Sequence, residues 1–410
     1  MSDKSRKLKS DFLKYIGQTS VNAPLLDMVK GSGSFIYDRS GKRYLDFTSG
    51  IAVNNIGHGN NKVITAIKKQ TGKYLHANVY GEFIVEPQVI LARHITSLLP
   101  SQLNCVYFVN SGSEAIEGAI KLARRATGRK EIISFRNSYH GSTFGALSIS
   151  GNDMLKTGMG PLAGNIRHIR FNCPADLIKI TEKTAALFVE PVQGEAGVVV
   201  PDEYTGSNLR KKNFLQLLRE RCNDTGALLV FDEAQTGIGR TGRMFAFEHY
   251  GAVPDILCLA KAVGGGMPLA AFIAGRKIMK CLSDPPFGHI TTFGGNPLSC
   301  AAGSAVLNTI MDKKLLAGIA RKEKIIRRIL VHPQIRRIRG VGLMLALVLK
   351  KPAALHFFIR KCREEGLITD YFLFSENAVR IYPPLTVTDS EIISGSKIIM
   401  KVLDKIEGNN

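Results

Sequence analysis

Cys105-Val-Tyr-Phe-Val-Asn110-Ser111-Gly112-Ser113-Glu114 runs from a short apolar segment into small polar residues, and the stretch after it places Ile116, Ala119, Ile120 and Ala123 at i, i+3, i+4 and i+7. The spacing predicts a buried strand, a tight turn and an amphipathic helix with one face on a core. The same alternation recurs downstream. Ala185-Ala-Leu-Phe-Val-Glu190 and Ala227-Leu-Leu-Val-Phe-Asp232 read as further strands, the second preceded by a helical pattern over Phe214 to Asn223. Leu269-Ala-Ala-Phe-Ile-Ala-Gly275 reads as a fourth. Continuous apolar strands separated by helices indicate a mostly parallel sheet covered by helices on both faces. The fold class is α/β.

The flanks read differently. Phe35-Ile-Tyr-Asp-Arg-Ser-Gly-Lys-Arg-Tyr-Leu-Asp46 has the pattern of a hairpin turning at Asp38 to Gly41. Beyond about residue 300 come two amphipathic helical stretches, a strand over Val341 to Leu349 and a strand-like Ala378 to Tyr382. A chain of 410 residues is too long for one ordinary core. The expected division is a large domain over residues 51–295 and a small α+β domain built from residues 1–50 and 296–410.

Composition narrows the class. Apolar residues make up 45% and charged residues 22%, the profile of a soluble globular protein. The longest apolar candidate, Val341 to Leu349, is broken by Gly342 and falls short of the roughly 18 residues of a membrane helix. Met1 to Ser10 is basic but is followed by Asp11-Phe-Leu-Lys14 rather than an apolar run, so the expected location is cytoplasmic. The seven cysteines form no C-x-x-C pair, and no histidine stands at metal-ligand spacing, so buried free thiols and no metal are expected. A net charge of +21 is compatible with nucleic acid, an anionic membrane surface or an anionic ligand. The basic clusters at Arg210 to Lys212, Arg321 to Arg328 and Arg336 to Arg339 have no interleaved aromatics to stack bases. No nucleic-acid partner is expected, and the charge is read as solvated surface.

Chemistry-bearing residues gather where three of the expected strands end: Asn110 to Ser113, Glu190 and Asp232. Ligands of open α/β sheets sit outside the carboxyl ends of the strands, so one pocket can collect all three. Ser111-Gly112-Ser113 at a strand-to-helix junction suits a phosphate, or equally a plain N-cap at Ser113. Asp232 follows an apolar strand and needs a partner, which a protonated pyridine nitrogen would supply; it also suits a cap of the next turn. Lys261 lies among Leu257, Leu259 and Ala262, where desolvation favours the neutral amine that Schiff-base formation requires. Gly264, Gly265 and Gly266 then let the backbone pass close to a flat ring or a phosphate. A snorkelling lysine is the plainer reading of Lys261 alone. Tyr139 suits stacking on a ring or a place in the core, and Arg380 suits a carboxylate or a structural ion pair.

Six stretches together carry a resemblance: Asn110-Ser-Gly-Ser-Glu-Ala115, Tyr139-His-Gly141, Glu190-Pro-Val-Gln-Gly-Glu-Ala-Gly197, Phe231-Asp-Glu-Ala-Gln-Thr-Gly237, Ala260-Lys-Ala-Val-Gly-Gly-Gly266 and Thr291-Thr-Phe-Gly-Gly-Asn-Pro297. In this order they resemble the class-III, fold-type-I aminotransferases, nearest to the acetylornithine and ornithine group, from about Gly31 to Pro384. The resemblance implies pyridoxal 5′-phosphate as cofactor and Lys261 as its aldimine and proton carrier. It implies Asp232 on the pyridinium nitrogen, Gln235 at the phenolic oxygen, and Ser111, Gly112 and Ser113 at the phosphate. Tyr139 would stack on the ring, with His140 and Glu190 beside it. Thr292 of the partner subunit would reach the same phosphate, which makes the enzyme a homodimer with shared sites. Thr291, Glu195 and Arg380 are implied on the substrate side, with Glu195 masking Arg380 for an ω-amino donor and releasing it for the α-carboxylate of glutamate.

One position departs from that family pattern. The ornithine-type enzymes carry arginine directly after the His-Gly pair, where this chain has Ser142. A serine supplies no charged fork, which puts the amino donor in question. The expected function is an ω-aminotransferase passing the amino group to a 2-oxo acid by a ping-pong cycle. The alternative is an aminomutase or a decarboxylating transaminase of the same fold. A binding module with a dead site is disfavoured because Lys261 and Asp232 are both present.

Overall fold

The computed structural model describes residues 3–20, 23–205, 211–311 and 313–407; Arg210, and Met1 and Ser2 of the basic N-terminal stretch, lie outside the described residues. At the centre is a seven-stranded sheet in the order Cys105–Val109, Ala270–Ala274, Ile256–Leu259, Leu228–Asp232, Thr184–Val189, Glu131–Phe135, Ile166–Ile169. Neighbouring strands are parallel except Ala270–Ala274, which runs antiparallel to both of its neighbours. The four expected strands are all present, and Glu131–Phe135, Ile256–Leu259 and Ile166–Ile169 are added to them. The last two have four residues each, too few to display a period.

Burial explains the composition of these strands. Thr184–Val189 and Ala270–Ala274 are buried at every position, as strands covered on both faces must be. Helix Gly112–Thr127 lays Ala115, Ile116, Ala119, Ile120 and Ala123 against the sheet. Each isoleucine so buried stabilises the fold by roughly 1.5–3 kcal/mol. The helix begins at Ser111, whose hydroxyl accepts from Glu114 N at 3.2 Å, so the cap is Ser111 rather than Ser113.

Segments from both halves of the chain share one of the smaller sheets. Met28–Ser32, Phe35–Asp38 and Arg43–Asp46 form an antiparallel meander, and Leu367–Ile368 adds to it in parallel beside Arg43–Asp46. Its second turn closes with Gly41 N donating to Asp38 O, as the sequence predicts. A further sheet runs Ile335–Val341, Met344–Leu349, Ser375–Ile381, Asp370–Phe372. The single strand expected over Val341 to Leu349 is thus one arm of a hairpin whose turn contains Gly342, at φ 62°. Arg336, Arg337 and Arg339 had hidden the other arm from an apolar-pattern reading. Helices Pro297–Ile310 and Ile319–Ile329 occupy the two stretches expected beyond residue 300. No helix among the described residues is long and apolar enough to cross a membrane.

Candidate active site

One cavity of about 430 Å³ opens at the carboxyl ends of the central strands and is lined by Ser111, Gly112, Ser113, Tyr139, His140, Glu190, Asp232, Gln235 and Lys261. Residues from five separate stretches of sequence therefore meet in one place, where an open α/β sheet puts its ligands.

Asp232 ends its strand and turns inward. Its Oδ1 accepts from Ala234 N at 3.0 Å, which fixes the carboxylate, and its Oδ2 lies 2.8 Å from His140 Nδ1. The other ring nitrogen of His140, Nε2, is buried with no partner among the described residues. Asp232 thus caps its own turn and still lines the cavity. Glu190 is buried and accepts from Tyr139 N at 2.9 Å and Gly194 N at 2.8 Å. Burial pushes its pKa up to about 7, with Asp232 adding to the rise and His140 opposing it. It ties the segment bearing Tyr139 to the segment bearing Glu195.

Lys261 stands just past the end of Ile256–Leu259 with φ 52°, a left-handed conformation that costs a non-glycine residue of order 1 kcal/mol or more. Its Nζ makes no hydrogen bond or ion pair among the described residues, and burial lowers its pKa against the pull of Asp232, Glu195 and Glu190. The strain aims an unpaired amine into the cavity.

The N-terminus of helix Gly112–Thr127 forms part of the wall. The first N–H groups of a helix have no partner within it, and the macrodipole adds positive potential there. Ser142 N donates to Ser113 Oγ at 3.2 Å, drawing the Tyr139–Ser142 loop onto this end. Gly141 makes that approach feasible: with φ 132°, a Cβ there would collide with Ser113. Ser142 itself is exposed and its hydroxyl lies 3.1 Å from the Tyr139 hydroxyl, so a neutral oxygen stands where an arginine was at issue.

Glu195 and Arg380 lie behind Gln235, outside the lining of the cavity. Arg380 Nη2 donates to both carboxylate oxygens of Glu195 at 3.0 Å, and Gln235 Nε2 donates to Glu195 Oε1 at 2.8 Å. The guanidinium also lies over the rings of Phe372 and Tyr382, 4.3 and 4.9 Å from their centroids. Burial alone would raise the Glu195 pKa, but Arg380 holds it below its ordinary value. Burial likewise opposes the charge of Arg380, and Glu195 more than restores it.

Thr291 and Thr292 do not line the cavity of their own chain. Thr291 Oγ1 accepts from Gly294 N at 3.1 Å and Asn110 Nδ2 at 3.4 Å, while Thr292 is exposed. Among the lining residues to which the sequence assigns no role are Asn110, Thr236, Val53 and Met267. The glycine run before Met267 was the available signal for it. Val53 had none, since it is delivered by a left-handed turn over Ser49, Gly50, Ile51 and Ala52.

A free amine, a carboxylate–imidazole pair and an anion-binding helix end around one cavity suit a flat, basic, phosphate-bearing ring. Comparisons with known proteins agree. The family profile Aminotransferase class-III matches residues 16–403. The acetylornithine aminotransferase of Caldanaerobacter subterraneus subsp. tengcongensis is 39% identical over 408 residues, 96% of this chain and 98% of that protein. The ornithine aminotransferase from Toxoplasma gondii ME49 superposes with a TM-score of 0.89 at 29% identity, covering 99% of this chain and 96% of its own. The taurine:2-oxoglutarate aminotransferase from Bifidobacterium kashiwanohense, solved in complex with PLP and glutamate, gives 0.90 at 27% identity, with 99% and 98% covered.

Proposed function

This chain belongs to the class-III aminotransferases, and we propose that it passes the ω-amino group of an amino acid or amine to a 2-oxo acid, with Lys261 as the residue that carries the cofactor. It is a pyridoxal-phosphate-dependent transaminase with the ping-pong cycle general to the family. The observation that carries the assignment of Lys261 is its amine, unpartnered and lowered in pKa, in the cavity that also holds the His140–Asp232 pair.

The residues present fit the cofactor. Gly112 and Ser113 at the helix end would hold its phosphate. Asp232 would keep a proton on the ring nitrogen, with the His140 ring held against its other oxygen. Tyr139 would lie on the ring face, and Gln235 would reach the phenolic oxygen. When bound, the cofactor supplies a carbonyl for the substrate amine and a cationic ring that withdraws electrons from the substrate carbon. Lys261 Nζ, whose hold on a proton burial weakens, is placed to accept a proton from that carbon and return it. Glu195 covers Arg380 while an ω-amine is bound and would uncover it for an acidic 2-oxo acid.

A second copy of the chain completes this reading. Phe83 is 60% exposed, Ile84 94%, Phe287 73% and Phe293 59%, all large apolar side chains. The two segments that carry them are joined where Tyr80 N donates to Thr291 O, beside the exposed Thr292. An apolar surface of this kind needs a cover, and a homodimer would bring Thr292 to the phosphate of its partner. Seven free cysteines support a reducing compartment, the cytoplasm.

Borohydride reduction of the holoenzyme followed by peptide mass mapping tests the assignment. The cofactor should be found fixed on Lys261, and Lys261→Ala should carry no label. Label on another lysine, or undiminished transamination by Lys261→Ala, would overturn it.

A further inference from the structure

Arg336, Arg337 and Arg339 lie on Ile335–Val341, the edge strand of its sheet. The register shifts between Ile335 and Arg337, and a bulge of this kind re-aims a side chain out of strict alternation. All three arginines consequently line one cleft of about 340 Å³, which shares no lining residue with the cofactor cavity. Across the cleft stand Ser375 and Asn377, with Glu376 as the one carboxylate among its lining residues.

This group is electrostatically incomplete. None of the three guanidinium groups forms an ion pair among the described residues, and Arg339 Nε is buried with no hydrogen-bond partner. Burial, and then the neighbouring Arg337, lower the pKa of Arg339. A buried, unpaired donor on a cation beside a like charge is costly unless an anion completes it. Gly197, with φ 81°, brings its backbone close against the Arg339 guanidinium and Ser375.

We propose that the cleft is an anion site, distinct from the cofactor cavity, for a small phosphate-bearing molecule. Three cations against one carboxylate match a multiply charged anion better than a single carboxylate. Guanidinium forks suit the several oxygens of phosphate, which they bind in pairs. The site adjoins the substrate side of the enzyme through Ala196 and Phe374, which line it, while Phe374 N donates to Glu195 O at 3.0 Å.

Inorganic pyrophosphate titrated calorimetrically into cofactor-saturated holoenzyme tests the proposal, since the cofactor's own phosphate seat is then filled. Saturable binding that weakens with added salt is expected. Arg337→Gln and Arg339→Gln should each weaken it about tenfold or more, the factor for one lost hydrogen bond to a charged group. Lys68→Gln, on an exposed helix face elsewhere, should leave it unchanged. Arg337 is exposed, so its variant remains informative if Arg339→Gln fails to fold. Absence of binding, wild-type affinity in Arg337→Gln, or an equal loss in Lys68→Gln would overturn the site.

Discussion

Arg380→Ala would remove a guanidinium that is 1% exposed and leave Glu195, itself 4% exposed, without its cation. Removing one member of a buried pair costs roughly 3–5 kcal/mol, because the remaining charge is desolvated and uncompensated. Glu195 keeps its hydrogen bonds from Gln235 Nε2 and Leu373 N, at 2.8 and 3.1 Å, which places the expected loss near the lower bound. The pH dependence has a definite sign. In the native protein the Glu195 pKa is lowered, so its stabilisation is present above the unfolded value of about 4.3 and is lost as pH falls through the folded value. In the variant burial is left to act without Arg380 and raises that pKa. The stability deficit relative to wild type should therefore be greatest near pH 8 and shrink towards pH 4. Denaturant melts across that range measure it, and Glu195→Ala combined with Arg380→Ala should recover most of the loss. Activity should divide between the two half-reactions. An acidic 2-oxo acid should lose about 10- to 100-fold in kcat/KM, the range for a lost hydrogen bond to a charged group, and an amine donor only a few-fold. An equal loss in both half-reactions, or a deficit independent of pH, would refute the masked-arginine reasoning.

Asp232→Asn should retain the Oδ1 contact to Ala234 N and hence the fold, yet lower kcat by about 10²-fold, as for a removed electrostatic stabiliser; wild-type turnover in a stably folded variant would count against its role at the ring nitrogen. Glu233 is buried, and burial pushes its pKa up to about 7 against the hydrogen bonds it accepts from Ala246 N and Phe247 N. Between roughly pH 4.3 and that value the folded state keeps a proton that the unfolded chain has released, so this residue makes stability fall as pH rises through the window. Glu233→Gln should flatten that part of the pH–stability curve, and an unchanged slope would refute it.

The elements read directly from sequence were those whose periodicity is local. Strands such as Ala185 to Glu190 are apolar throughout because both faces are covered, and the helix after Ser111 shows its buried stripe at helical spacing. Short or arginine-rich strands were not legible. Ile256–Leu259 has too few residues for a period, and Ile335–Val341 carries its charges towards a cleft that the linear order does not reveal.

By itself the sequence determined the chemistry: which residue types stand at strand ends, that Lys261 lies among apolar neighbours, and which family the six motifs resemble. These follow from composition and spacing along the chain, where neighbours are fixed by covalent bonds. Tertiary structure alone decided which distant groups meet. It set His140 against Asp232, placed Arg380 behind Gln235 on Glu195, bent Ser49 to Ala52 so that Val53 reaches the cavity, and left the Lys261 amine unpaired. The physical reason is that burial and the distance between charges belong to folded space. A pKa or an ion pair depends on partners that stand as far as 185 residues away in sequence, as Arg380 does from Glu195.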